Sequence, residues 1–193
     1  MSNKDKTPNA LEIFEKFTDK SIPVEPVSLA WRLGTEVFAN LELNKYDGLE
    51  GYLRPLGAQT TGKATGYRII INPALPDEQK RMVVACGICN ILYPEGMKFS
   101  FQNVGSKTAY VQSIENLHPR RAEEHMARTF ALKLLVPETV LEEKLGTKAK
   151  NMKPSEEMAA YFKVSFEDFQ ERINIYREEH DMEDLRKKSP FEL

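Results

Sequence analysis

The sequence predicts an α+β fold: a small sheet with helices mainly on one side, followed by a helical module. Three observations carry this reading. Turn-bounded runs rich in β-branched and aromatic residues lie at Asp47–Arg54 and Gly66–Asn72 and read as strands. Two long segments have helical signals: Pro76-Asp77-Glu78 opens one that runs to about Tyr93, and Pro119 opens another that Pro137 stops. The second carries an apolar stripe of Ala122, Met126, Ala127, Phe130, Ala131, Leu134 and Leu135. Beyond it, two helical stretches flank Lys163-Val164-Ser165 with no strand between them.

The remaining elements follow in order. Residues 1–9 read as a frayed arm, and Ala10–Lys20 places Leu11, Phe14 and Phe17 at helical spacing. Ile22-Pro23-Val24-Glu25-Pro26 is an extended linker into a helix over Val27–Leu33, which Gly34 ends in the position glycine favours. Glu36–Leu41 alternates and is expected as a strand, Gly57–Gly66 as a hairpin loop, and Asn72-Pro73 as the end of the sheet. Met97–Gln102 alternates as a candidate edge strand, with Thr108–Ile114 as another. Glu138–Lys150 holds a short helix and a lysine-rich connector. Ser155 caps Glu156–Phe162, and a last helix runs from Phe166 to about His180. This divides the chain into an N-terminal arm and helix (1–21), a main domain (22–137), a helix-turn-helix-like module packed on it (138–180) and a tail (181–193).

Composition narrows the function classes. Lys and Arg (27) nearly cancel Asp and Glu (29) for a net charge of −2, so the basic footprint of non-specific nucleic-acid binding is absent. Hydrophobic residues at 41% with a mean hydropathy of −0.49 describe a soluble globular chain. The longest apolar stretch, Met82–Tyr93, is interrupted by Gly87 and Asn90 and falls short of the roughly 20 residues that span a bilayer. No apolar leader precedes Ala10, and the two cysteines stand three apart on one helix, where a disulfide is disfavoured. A cytoplasmic location with reduced thiols is expected.

Few residues invite chemistry. Cys86-Gly87-Ile88-Cys89 has the spacing of a redox pair, but a reactive thiol sits at a helix N-terminus, and helix-opening signals lie nine residues earlier. The pair reads first as two small buried hydrophobes. His118 and His125 are seven apart on one helical face and lack a third convergent ligand, and His180, in a charged tail, is expected to be exposed. The last helix opens with Glu167, Asp168 and Glu171 where a DNA reader would meet phosphate, while Phe166, Phe169, Ile173 and Tyr176 are spaced to pack on Met158 and Phe162. That module is expected to be core or protein-docking surface, with no direct nucleic-acid contact.

A set of motifs in fixed order adds a family resemblance. Ile22-Pro23-Val24, Leu33-Gly34, Arg81 to Ala85, Glu124-x-x-Ala127-x-x-Phe130-Ala131, Leu134-Leu135-Val136-Pro137 and Phe162-Lys163-Val164-Ser165 succeed one another over residues 20–178. In this the chain resembles the ImmA/IrrE family of zinc metallo-endopeptidases, which regulate phage and mobile-element repressors and DNA-damage responses. The resemblance implies a zincin-like fold whose two central helices carry the metal site. Such a site needs two imidazoles at i and i+4, with a glutamate beside the first as general base. Here those positions hold Cys86, Gly87 and Asn90; only the third ligand position, Glu124, is kept. The apolar stripe leaves open whether Glu124 or Glu123 faces the former metal site. An ordinary salt-bridged helix acid, paired with Arg120 or Arg128, is the plain alternative for either.

The expectation is therefore a pseudo-metallopeptidase with no catalytic residue and no bound metal. It would act by binding a protein, and the resemblance implies a helix-turn-helix transcriptional repressor or related regulator as partner, in the manner of an antirepressor. The alternative is an active zinc endopeptidase with a non-standard site built from Cys86, Glu124 and a nearby histidine. A redox switch through Cys86 and Cys89 is a third.

Overall fold

The computed structural model describes residues 9–45, 50–56, 65–93, 121–145 and 152–188. It is α+β, with one three-stranded mixed sheet and seven α-helices among those residues. Helix α1 (Ala10–Phe17) is capped by Asn9, whose side chain accepts from the amides of Leu11 and Glu12. It stops short of Lys20 because the Thr18 hydroxyl and amide both turn back to the Phe14 carbonyl, and Lys20 takes a left-handed conformation. Helix α2 (Pro26–Arg32) starts on a proline that needs no amide partner. Gly34 follows in the left-handed region at φ 76°, which the absence of a Cβ makes free of strain.

Strand β1 (Glu36–Ala39) is shorter than the alternation suggested. The Asn40 side chain accepts from the Glu42 amide and bends the chain into a 3₁₀ turn over Leu41–Lys45, so Leu41 leaves the sheet. Strands β2 (Gly51–Pro55) and β3 (Tyr67–Ile71) pair antiparallel, while β1 pairs parallel to β3 with Val37 opposite Ile69. The order β1-β3-β2 makes β3 central. Its exit is an Asn72 turn in which the side-chain oxygen accepts from the Ala74 amide. The expected strands at 97–102 and 108–114, and much of the 57–66 loop, lie outside the described residues.

Helix α3 (Asp77–Leu92) lies on the sheet and packs against α4 (Arg121–Leu135). Close approach to β2 depends on Gly51, where a Cβ would sit 2.6 Å from both the Ile70 carbonyl and a Val83 methyl. Helix α5 (Glu138–Leu145) follows Pro137, and α6 (Glu156–Phe162) is capped by the Ser155 hydroxyl, which accepts from the Met158 amide. Lys163 turns the chain at φ 51° into α7 (Phe166–Lys188). That helix runs past the expected end at His180.

A single buried cluster joins Ile69 of β3 and Val84, Ala85 and Ile88 of α3 to Phe130, Ala131, Leu134 and Leu135 of α4. It continues to Phe162, Phe169 and Ile173 of the C-terminal helices. Phe162 and Phe169 stack at 5.9 Å, whereas Phe166 stays exposed, a departure from the packing its spacing suggested: it is the first residue of α7, ahead of the buried turn. Arg81 fastens the two ends of this core. From α3 its guanidinium donates to the Val24 carbonyl at 2.6 Å, the Lys163 carbonyl at 3.1 Å and the Glu25 carboxylate at 3.1 Å. The segments at Val24–Glu25 and Phe162–Lys163 thus converge on one buried cation of α3.

Candidate functional site

Helix α3 sorts its residues by a 3.6-residue period. Val84, Ala85 and Ile88 enter the core, Cys89 is fully buried, and Cys86 and Asn90, four apart, lie at its partly exposed margin. Burial pushes both thiols up to about 12. For Cys86, desolvation is reinforced by the neighbouring Cys89 and opposed by Arg128, with Glu50 and Asp168 adding smaller upward pushes. Both thiols are therefore protonated at neutral pH, the opposite of the lowered pKa that marks a reactive cysteine.

Gly87 meets the sheet. A Cβ built there would lie 3.0 Å from Cδ1 and Cγ1 of Ile69 and 3.3 Å from its Cγ2. Ile69 is the middle of the central strand and 1% exposed, so the wall beside Gly87 is packed apolar material with no ready path for a longer side chain. Two hydrogens and an isoleucine side chain face each other here, and neither holds a proton or an ion.

Glu123 and Glu124 belong to α4, and their side chains lie outside the described residues, so which of the two turns toward α3 stays open. His125 is exposed on the same helix; His118 lies outside the described residues. Arg128 is half-exposed and bound across to α7, 2.6 Å from the Asp168 carboxylate and 2.8 Å from that of Glu171. Its guanidinium is held further up by those acids. Asp168, one of the acids placed by sequence at a phosphate-facing surface, is instead buried in this ion pair.

One constellation escaped the sequence reading. His180 is not an exposed tail residue. Its side chain is 25% exposed, lies against the Tyr176 ring at 4.1 Å, and faces Glu138 and Glu142 of α5. The i, i+4 spacing of the two glutamates was a visible signal, but the histidine lies 38 residues further on and only the packing of α7 on α5 brings it there.

Against this geometry, residues 32–174 match the family model described as the IrrE N-terminal-like domain. The match covers roughly three quarters of the chain, from the end of α2 to the middle of α7. The chain belongs to that family. The matched residues include all of α3 and α4 and the first part of α7. Membership carries regulatory or peptidase function as a class. No match was found among curated proteins or among solved structures. Among the described residues no helix is long and apolar enough to cross a membrane.

Proposed function

We propose that this chain is a pseudo-metallopeptidase of the IrrE-like family, a regulator on a zincin-type frame that binds a protein partner without cutting it. The observation that carries this reading is the contact between Gly87 and Ile69. At the position where a zincin needs a water-activating carboxylate, the backbone has no side chain and the space beside it is filled from the central strand. A positioned general acid–base is worth about 10²–10⁴-fold in rate.

The donors that α3 offers to zinc are a poor set. Cys86 is a usual zinc ligand type, but Asn90 presents a carboxamide and Gly87 no side chain, whereas catalytic zinc takes three ligands from imidazole, thiolate and carboxylate. One such donor on α3 supports no metal-borne step. The high thiol pKa values likewise weigh against a redox switch.

Binding has surface to work with. Trp31 of α2 is 67% exposed, Phe38 of β1 46% and Leu41 74%, and β1 is an edge strand among the described residues. Large exposed aromatics are over-represented at protein interfaces. The partner class implied by the family resemblance is a helix-turn-helix transcriptional repressor or related regulator of a phage, a mobile element or a stress response, held stoichiometrically in the cytoplasm.

The test is a pull-down from native lysate, with intact-mass measurement of the captured protein and metal analysis of the same sample. An uncleaved partner, bound equally with and without chelator, supports the proposal. A cleaved partner whose cleavage stops on chelation overturns it in favour of an active endopeptidase using Cys86, Glu124 and a histidine.

A further inference from the structure

We propose that Glu138, Glu142 and His180 form a binding site for a divalent transition-metal ion, zinc above all, that fastens α5 to α7. This site is separate from the α3 positions and does not rest on the pseudo-peptidase reading.

Glu138 and Glu142 stand one helical turn apart on α5, and α7 sets the imidazole across from both. One ligand atom from each of the three residues lies within 4.8 Å of the other two. The His180 Nε2 is 3.5 Å from Glu138 Oε1 and 3.7 Å from Glu142 Oε1. Ligands 2.0–2.2 Å from a tetrahedral zinc are about 3.3 Å from one another, so these two separations need to close by only a few tenths of an ångström.

The histidine is oriented from outside the carboxylate pair. Its Nδ1 lies 3.0 Å from the Tyr176 carbonyl, so Nδ1–H donates there, and in the neutral ring Nε2 is the nitrogen with the lone pair. The Tyr176 ring lies against it at a tilt of 31° and limits its rotation. Backbone anchoring of the far nitrogen is how metal-ligating histidines are held in the binding tautomer. Two carboxylates facing Nε2 favour positive charge at that point, which either a proton on the ring or a cation between the three groups supplies. The carboxylates are positioned as well: the Tyr176 hydroxyl donates at 3.2 Å to Oε1 of Glu142, the oxygen that also faces the histidine, and the Arg172 guanidinium stands 4.0 Å from Oε2 of Glu138. In Glu138 that leaves Oε1 toward the histidine, and two carboxylates against one guanidinium keep the local charge negative. One imidazole and two carboxylates, all partly exposed, suit zinc or its first-row neighbours, with water completing the shell.

The chain has three histidines, so their ring signals serve as a direct readout. Chelator-stripped full-length protein, labelled with ¹⁵N at the imidazoles, is titrated with zinc chloride. The expected result is a 1:1 shift of the His180 signals and a rise in Tm. His180→Ala and Glu142→Gln should each weaken binding at least tenfold, while a Cys86→Ser, Cys89→Ser double variant leaves it unchanged. Glu142→Gln keeps an acceptor for Tyr176 and so separates lost ligation from lost folding. The proposal is overturned if zinc moves only His118 or His125, if neither variant changes the affinity, or if the His180 ring responds to protons and not to stoichiometric zinc. Zinc bound at His180 with no partner cleavage leaves the regulatory reading standing; zinc held by Cys86 would remove that reading without touching this one.

Discussion

The face of α3 that carries Cys86, Gly87 and Asn90 and the contact between α5 and α7 are opposites. In the first, the positions where the family resemblance puts catalysis are a neutral thiol, a bare backbone against Ile69 and a carboxamide. In the second, which no motif marks, two carboxylates converge on an imidazole held by a backbone carbonyl. On the proposed reading the first region contributes packing and the second offers ligand chemistry. Equivalent place in a fold and equivalent chemistry are separate properties, and that reading has them moved apart in this chain.

The largest expected effect comes from trying to restore what α3 lacks. Gly87→Glu must displace Ile69 and bury a carboxylate without a cation, so urea denaturation should show a loss of about 3 kcal/mol or more. The triple variant Cys86→His, Gly87→Glu, Asn90→His should remain without peptidase activity on any captured partner; zinc-dependent cleavage by it would break the comparison. Gly87→Ala is subtler. A gain of about 1 kcal/mol in helix propensity opposes overpacking of roughly 1–3 kcal/mol, and a net loss near 1 kcal/mol is expected. Ile69→Val in the same chain should recover part of that loss in a double-mutant cycle.

Arg128→Met comes next. It leaves the buried Asp168 beside Glu171 with no guanidinium, and a loss of about 2 kcal/mol is expected. Asp168→Asn added to it should restore much of the difference, which the same denaturation curves would show.

The thiols give a pH signature. Their folded pKa of about 12 is above the ordinary value of 9.0, so the folded state keeps protons that the unfolded chain releases. Their contribution is therefore constant below pH 9 and falls between pH 9 and 12, by at most about 1.4 kcal/mol per pH unit for each thiol. The Cys86→Ser, Cys89→Ser variant should flatten that part of the profile. At pH 8 the folded chain should resist thiol reagents that label it fully in denaturant; rapid labelling of Cys86 would mark α3 as chemically alive. The smallest effect is expected at the other region: without metal, Glu142→Gln should change stability by under about 0.5 kcal/mol, since its contacts are half-exposed.

Where a structural signal is local, the sequence carried it well. The Ser155 cap, the Gly34 turn, the Pro137 stop after α4 and the strand pair flanking the 57–66 loop depend on a few consecutive residues. The family frame was legible for the same reason, as short motifs in order. Element ends were less so: β1 stops at Ala39 because the Asn40 side chain captures the Glu42 amide, and alternation alone does not register that competition. Of the candidate site, the residue types at 86, 87 and 90 were plain from the sequence, and the packing that surrounds them was not.

By itself the amino-acid order determined the α+β class, the family and the residue types that stand at 86, 87 and 90 of α3, because each is a matter of which residues follow which. Tertiary structure alone decided that Ile69 closes the space beside Gly87, that Arg81 gathers Val24 and Lys163, and that His180 turns toward Glu138 and Glu142. These contacts join residues 18 to 82 positions apart, and side-chain spacing along one helix or strand says nothing about what another element brings against it.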